Sequence, residues 1–145
     1  MNKILLFAII NFIIIENIWC EVRRDDQYPP PQLLAKWKPI HDVCVGRTGV
    51  SEDVIKRFSD GDEIFEDDKL KCYMDCLLQE KRFIMPDGKI DFVSLHESFN
   101  EDKEIHFTFI HMIRRCLYPA GEGCDRAYNM NVCFKKADPK HYFIV

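Results

Sequence analysis

Cys72 and Cys76 stand four residues apart in the run Leu70-Lys71-Cys72-Tyr73-Met74-Asp75-Cys76-Leu77-Leu78, which reads as part of a helix. At that spacing both sulfurs leave one helix face. An intact helix rarely gives such a pair the Cβ geometry of a mutual disulfide, so each sulfur is expected to reach a different, distant segment. A helix that anchors two staples becomes the pillar of a small stapled fold.

The chain has seven cysteines in 145 residues, and its first twenty residues remove the odd one. Met1-Asn2-Lys3 is a short basic start, Ile4 to Ile15 is almost wholly apolar, and Ile18-Trp19-Cys20 can precede a cleavage site. The apolar run is too short to span a bilayer. Residues 1–20 are therefore expected to be a signal peptide and residues 21–145 the mature domain. Six cysteines remain: Cys44, Cys72, Cys76, Cys116, Cys124 and Cys133. An even number in a small secreted chain points to three disulfides, among fifteen pairings that spacing alone does not separate.

A formal charge of −4 with no dense Lys/Arg stripe argues against nucleic-acid binding. Helical signals run through the mature chain. Glu21 to Pro31 is expected to be extended and on the surface, and the last proline to open a helix over 31–45, kinked or restarted at Pro39 and ended by Gly46 and Gly49. Ser51-Glu52-Asp53 caps a short helix through Val54, Ile55 and Phe58. Asp67-Asp68 caps the pillar, expected over 69–83. Met85-Pro86-Asp87-Gly88 is a turn. Further amphipathic helices are expected over 90–99, 101–116 and 124–136, the last stopped by Asp138-Pro139. The spacing predicts an all-α domain with no strand. It ends in an apolar tail, Tyr142-Phe143-Ile144-Val145, which should dock rather than fray.

Catalytic and metal-binding patterns are missing. The five histidines, at 41, 96, 106, 111 and 141, lie in no recognisable catalytic context. Zinc on Cys72, Cys76 and Cys124 is disfavoured by the oxidising compartment. Asp60-Gly61-Asp62 lacks the spaced ligands of a calcium loop. The reading is not an enzyme, with no cofactor and no metal. What remains is apolar surface on helical faces, in Phe92, Leu95, Phe99, Phe109, Met112, Ile113, Phe134 and Phe143 with His96 beside the stripe. Such residues are ordinarily core, but together they supply the lining of a small-molecule site between helices.

The cysteine pattern C-x27-C-x3-C-x39-C-x7-C-x8-C resembles that of the insect odorant-binding proteins, the PBP/GOBP family. So do Tyr28-Pro29-Pro30-Pro31, Cys116-Leu117-Tyr118-Pro119 and Lys136 to Phe143, which look like the antennal subgroup of flies and mosquitoes. The gap between Cys116 and Cys124 is shorter than is usual there, and Phe134 stands where close relatives often have Trp. The resemblance implies a compact six-helix domain enclosing a hydrophobic cavity, stapled by Cys44–Cys76, Cys72–Cys124 and Cys116–Cys133. It implies a non-enzymatic carrier of small hydrophobic odorants or pheromones through the lymph of the sensillum. An olfactory receptor or a membrane surface would be a transient partner, and a homodimer is compatible with the pattern. By the same resemblance the C-terminal segment closes the pocket, its terminal carboxylate at Val145 held by His41 and Tyr73 and released as pH falls. The alternatives are a secreted helical interaction protein with a filled core, or a non-olfactory carrier of hydrophobic molecules. A cavity between the helices separates the first of these from a carrier.

Overall fold

The structure is a computed structural model that describes residues 23–85, 87–99 and 103–145. The expected signal peptide lies outside the described residues. Six helices follow one another: α1 Pro31–Thr48, α2 Glu52–Asp60, α3 Asp68–Glu80, α4 Phe92–Phe99, α5 Lys103–Arg115 and α6 Gly123–Ala137. The fold is all-α, and the described residues contain only two isolated bridges, Asp25 to Tyr28 and Ile84 to Ile90. None of these helices is long and apolar enough to cross a membrane.

Local chemistry sets most of the helix ends. Pro31 opens α1, where its missing N–H costs nothing. The helix runs on through Pro39 and Gly46, contrary to the expected stop at 45, and ends at Gly49, whose φ of 66° is the left-handed closing conformation. The Ser51 hydroxyl accepts from the Val54 N–H and caps α2, and the Asp67 carboxylate accepts from the Leu70 N–H and caps α3. At the C-terminus of α3 the chain turns sooner than expected. The Phe83 N–H donates to the Leu78 carbonyl and the Arg82 N–H to the Gln79 carbonyl, with Arg82 at φ 56°. This is the Schellman arrangement with an arginine in the left-handed position, and it leaves Lys81 as the C-cap, one residue past the end of α3.

The pillar reading of α3 is realised in the core. Leu70, Tyr73 and Met74 are fully buried, and α3 packs chiefly against α6 and α1. Cys76 on its rod is bonded to Cys44 of α1, and Cys72 to Cys124 of α6. The third bridge joins Cys116 to Cys133. These are the pairs that the resemblance implies.

The segment before α1 departs from the expectation of an extended surface stretch. Tyr28 is buried at 3% exposure, and its hydroxyl donates to the His141 carbonyl. The Arg23 N–H donates to the Lys140 carbonyl at 2.8 Å. Residues 23–30 thus lie against the tail, because Tyr28 offers an aromatic body to the core and a hydroxyl to a backbone acceptor.

Candidate functional site

Beneath the tail, between α1, α3, α5 and α6, lies a cavity of about 60 Å³. Each wall follows from helical spacing. On α3 it is Met74, Leu77, Leu78 and Lys81; on α5 it is Ile105, Thr108, Phe109 and Met112. Both sets fall at i, i+3, i+4 and i+7, one stripe of a 3.6-residue helix. Trp37 comes from α1, Asn131 and Phe134 from α6, and Tyr28 from the N-terminal segment. Phe83, just past α3, and the last five residues, His141 to Val145, complete the lining.

Of the residues expected to line a ligand site, Phe109, Met112, Phe134 and Phe143 border this cavity. Phe99 stands one ring behind, 4.2 Å from Phe109 and 5.3 Å from Trp37 by centroid. Leu95 and Ile113 are buried in the core but do not reach the cavity. Phe92 is half-exposed and His96 is exposed, so neither belongs to it. The reason is the brevity of α4, which turns only Leu95 and Phe99 inward. Phe92 is on its first turn, beyond the body, and His96 lies about 100° round the helix from Leu95. His96 packs instead against the His106 ring, with centroids 4.8 Å apart.

Sequence reasoning missed Lys81, although it stands seven residues after Met74 on the same stripe. Its Nζ lies 3.5 Å from the centroid of the Trp37 ring. Burial pushes the ammonium down to about 7. His141 also lines the cavity, and its Nδ1 sits 3.0 Å from the Asp138 carboxylate. Asn131 is occupied: it accepts from the Tyr142 hydroxyl at 3.0 Å and donates to the Ala127 carbonyl.

The tail is held by a cluster at the end of α2. Arg24 donates to the Tyr142 carbonyl at 2.8 Å, to the Ser59 carbonyl at 3.1 Å and, through Nε, to Asp60 at 2.8 Å. The Ile144 N–H donates to the Ser59 hydroxyl at 3.3 Å. Lys135 donates to the Phe58 and Gly61 carbonyls, placing a cation at the C-terminus of α2. The Asp60 carboxyl is desolvated, which raises it, but hydrogen bonds from Lys56 and Arg24 outweigh that and hold it below the ordinary carboxylate value.

His41 and Tyr73 meet each other. The Tyr73 hydroxyl lies 2.7 Å from His41 Nδ1, and His41 Nε2 lies 2.9 Å from Glu52. A carboxylate can only accept, so Nε2 carries a proton, and in the neutral imidazole the phenol donates to Nδ1. Burial, with Glu52 and Asp42 nearby, keeps the Tyr73 phenol protonated far above its ordinary range. Val145 lines the cavity from the tail. The phenol's hydrogen-bond partner is thus a side chain of α1, and the tail's polar anchors sit at Arg24 and Ser59.

Among the described residues no group of three His, Cys, Asp or Glu side chains is arranged to hold a metal.

Residues 27–137 match the PBP/GOBP family profile. The B1 protein of Tenebrio molitor is 28% identical over 103 residues, covering 68% of this chain and 75% of that protein. General odorant-binding protein 69a of Drosophila melanogaster is 27% identical over 105 residues, covering 72% of this chain and 70% of its own length. Among solved structures, the Locusta migratoria odorant-binding protein lmigOBP1 superposes with a TM-score of 0.63 at 28% identity, over 74% of this chain and 82% of its own. Odorant Binding Protein 4 of Chrysopa pallens shares the fold, with a TM-score of 0.70 at 24% identity over 79% and 96% of the two chains.

Proposed function

The chain belongs to the PBP/GOBP family, and from that premise we propose that it is a secreted carrier that takes up small apolar volatiles in the cavity under its tail. The observation that carries this reading is that stripes from two helices converge with the tail on one apolar space. Burial of apolar ligand area, at roughly 25 cal/mol per Å², supplies the affinity. Few polar groups face that space, so shape selects more than hydrogen bonding does.

The cavity volume of about 60 Å³ is far below the roughly 300 Å³ of a small-molecule pocket. Occupation therefore requires rings to move. Phe109 is central to that movement, since it meets Phe83, Phe99 and Phe134 at once. The same small volume is what a second reading has in its favour, an interaction protein with a filled interior. Half-exposed Phe92 and strongly exposed Phe107 would then be contact residues.

The tail is the closing element in the first reading. Delivery to a receptor would follow from its release near an acidic surface, with His41, Tyr73 and the Val145 carboxylate as the pH-sensitive group. The deciding experiment is displacement of a fluorescent apolar probe by candidate volatiles, at neutral and mildly acidic pH, for the protein and for a form lacking Phe143 to Val145. Affinity that falls with acid only when the tail is present supports the lid. Identical pH profiles remove the lid and leave the carrier. No probe binding in either form favours the filled interaction protein.

A further inference from the structure

We propose that Lys81 captures aldehyde ligands covalently, as a reversible imine at the boundary between the cavity and a surface cleft. The inference rests on the carrier reading and names one ligand class for the same site.

Lys81 is both the end of the α3 cavity stripe and a wall of an outer cleft shared with Lys36, Arg82 and Glu97. The charged and ionisable groups that line these two spaces with it are Lys36 of α1, Arg82 beside it, Glu97 of α4, and His141 and the Val145 carboxylate of the tail. Among the described residues none of the carboxylates forms an ion pair with its Nζ, and the group that covers it is the Trp37 ring. An amine without a counter-ion at the end of an apolar space is poorly suited to stay charged. Burial alone accounts for its low value of about 7. Close to neutral pH about half of such an amine is free base, against roughly one part in 2,500 for a lysine at its ordinary value. The ring face favours the charged form and limits the effect, and it serves the product too.

The chemistry closes on itself. The Nζ lone pair adds to the aldehyde carbon, and the C=O pair becomes a hydroxyl that takes a proton from nitrogen. Loss of that hydroxyl as water leaves a C=N bond. Protonation of the imine restores a cation against the face of Trp37, where the ammonium had been. Access to the outer cleft lets water leave, and its return hydrolyses the imine and frees the aldehyde. No oxidant, reductant or metal enters. The apolar chain of the aldehyde would extend toward Met74, Phe109 and Met112, whose stripe begins where the nitrogen ends.

The test uses the disulfide-bonded protein with decanal, 1-decanol and decanoic acid. With decanal and cyanoborohydride at neutral pH, intact mass is expected to rise by one aldehyde less one water plus the two hydrogens of reduction. Peptide mapping is expected to find Lys81 labelled about tenfold or more above any surface lysine. Excess 1-decanol should suppress that label by occupying the cavity, and Lys81→Arg and Lys81→Met should abolish it with the helical circular dichroism unchanged. Displacement of the probe by 1-decanol without a Lys81 adduct overturns the imine and leaves the carrier reading standing. A Lys81 adduct without 1-decanol binding upholds covalent capture and removes the carrier reading. Decanoic acid binding more tightly than decanal, lost in Lys81→Met and with no adduct, makes Lys81 a charge anchor and overturns the imine.

Discussion

The hydroxyl of Tyr73, fully buried on α3, lies 2.7 Å from Nδ1 of His41 on α1, and the far side of the same imidazole meets Glu52 at the start of α2. One ring thus ties three helices, and the phenol supplies the donor on its inner side. Tyr73→Phe keeps the aromatic body in the core but leaves Nδ1 without its donor. The expected loss is about 1 kcal/mol of stability, read from urea unfolding at neutral pH. His41→Ala should cost more, since it also strands the phenol in a buried site. Equal stability of Tyr73→Phe and the wild type would show that the contact contributes nothing net.

The tail's anchor has a definite pH window. Asp60 is held below the ordinary carboxylate value in the folded chain, where Lys56 and Arg24 outweigh its desolvation. A carboxyl depressed by folding contributes stability that is present above its unfolded value near 4 and is lost as pH falls through the folded value. The Asp60–Arg24 contact should therefore persist at mildly acidic pH and fail only in strong acid. Hydrogen exchange at the Ile144 amide, which donates to Ser59, is the measurement. Asp60→Asn is expected to speed it several-fold at neutral pH, a loss of about 1 kcal/mol. Arg24→Met should speed it further, because it also frees the Tyr142 carbonyl. If wild-type exchange at Ile144 already accelerates at mildly acidic pH, the trigger is not Asp60.

Phe109 controls how far the cavity can open. Its ring lies 4.2 Å from Phe99 by centroid and also meets Phe83 and Phe134. Phe109→Ala is expected to destabilise the chain by about 2–4 kcal/mol, on the lower side of the range for buried aromatics because the residue is only partly buried. In exchange it should enlarge the space and favour longer or bulkier ligands over short ones. Probe displacement across a series of alcohols of increasing length checks this. An unchanged length preference would mean that ligands do not enter past Phe109.

The sequence pattern made the six helices, the stapled pillar and the docked tail legible, because each rests on a local rule: helical spacing, a capping carboxylate, or an apolar run at a terminus. The part of the cavity built from Phe109, Met112, Phe134 and Phe143 was legible for the same reason. Tyr28 was not, since a Tyr-Pro-Pro-Pro run carries no periodicity and its burial depends on where the tail lies. Phe92 and His96 misled because a stripe on a short helix says which face is apolar but not how far the body extends beneath it. Lys81 escaped notice because a charge seven residues along an apolar stripe reads as the solvated end of a helix. Only the Trp37 ring and the early Schellman turn at Arg82 bring it inward.

That inward placement makes Lys81 a titrating cost to the fold. Its folded value is lowered to about 7 by burial, whereas in the unfolded chain it titrates near 10.4. Between those values the unfolded chain binds a proton that the folded chain does not, so stability rises with pH across that window. Below neutral pH the full cost of holding a desolvated ammonium is present; above about 10 it has vanished. Lys81→Met removes the titration and keeps the unbranched stem against Trp37. The variant is expected to be more stable than the wild type at pH 6 by about 1–3 kcal/mol, after allowance for partial solvent access and for the ring face. The advantage should shrink steadily toward pH 10. Paired urea titrations of the two proteins across this range measure it, because every other group cancels in the difference. A flat difference would place the amine in water in solution and deprive the imine of its free base.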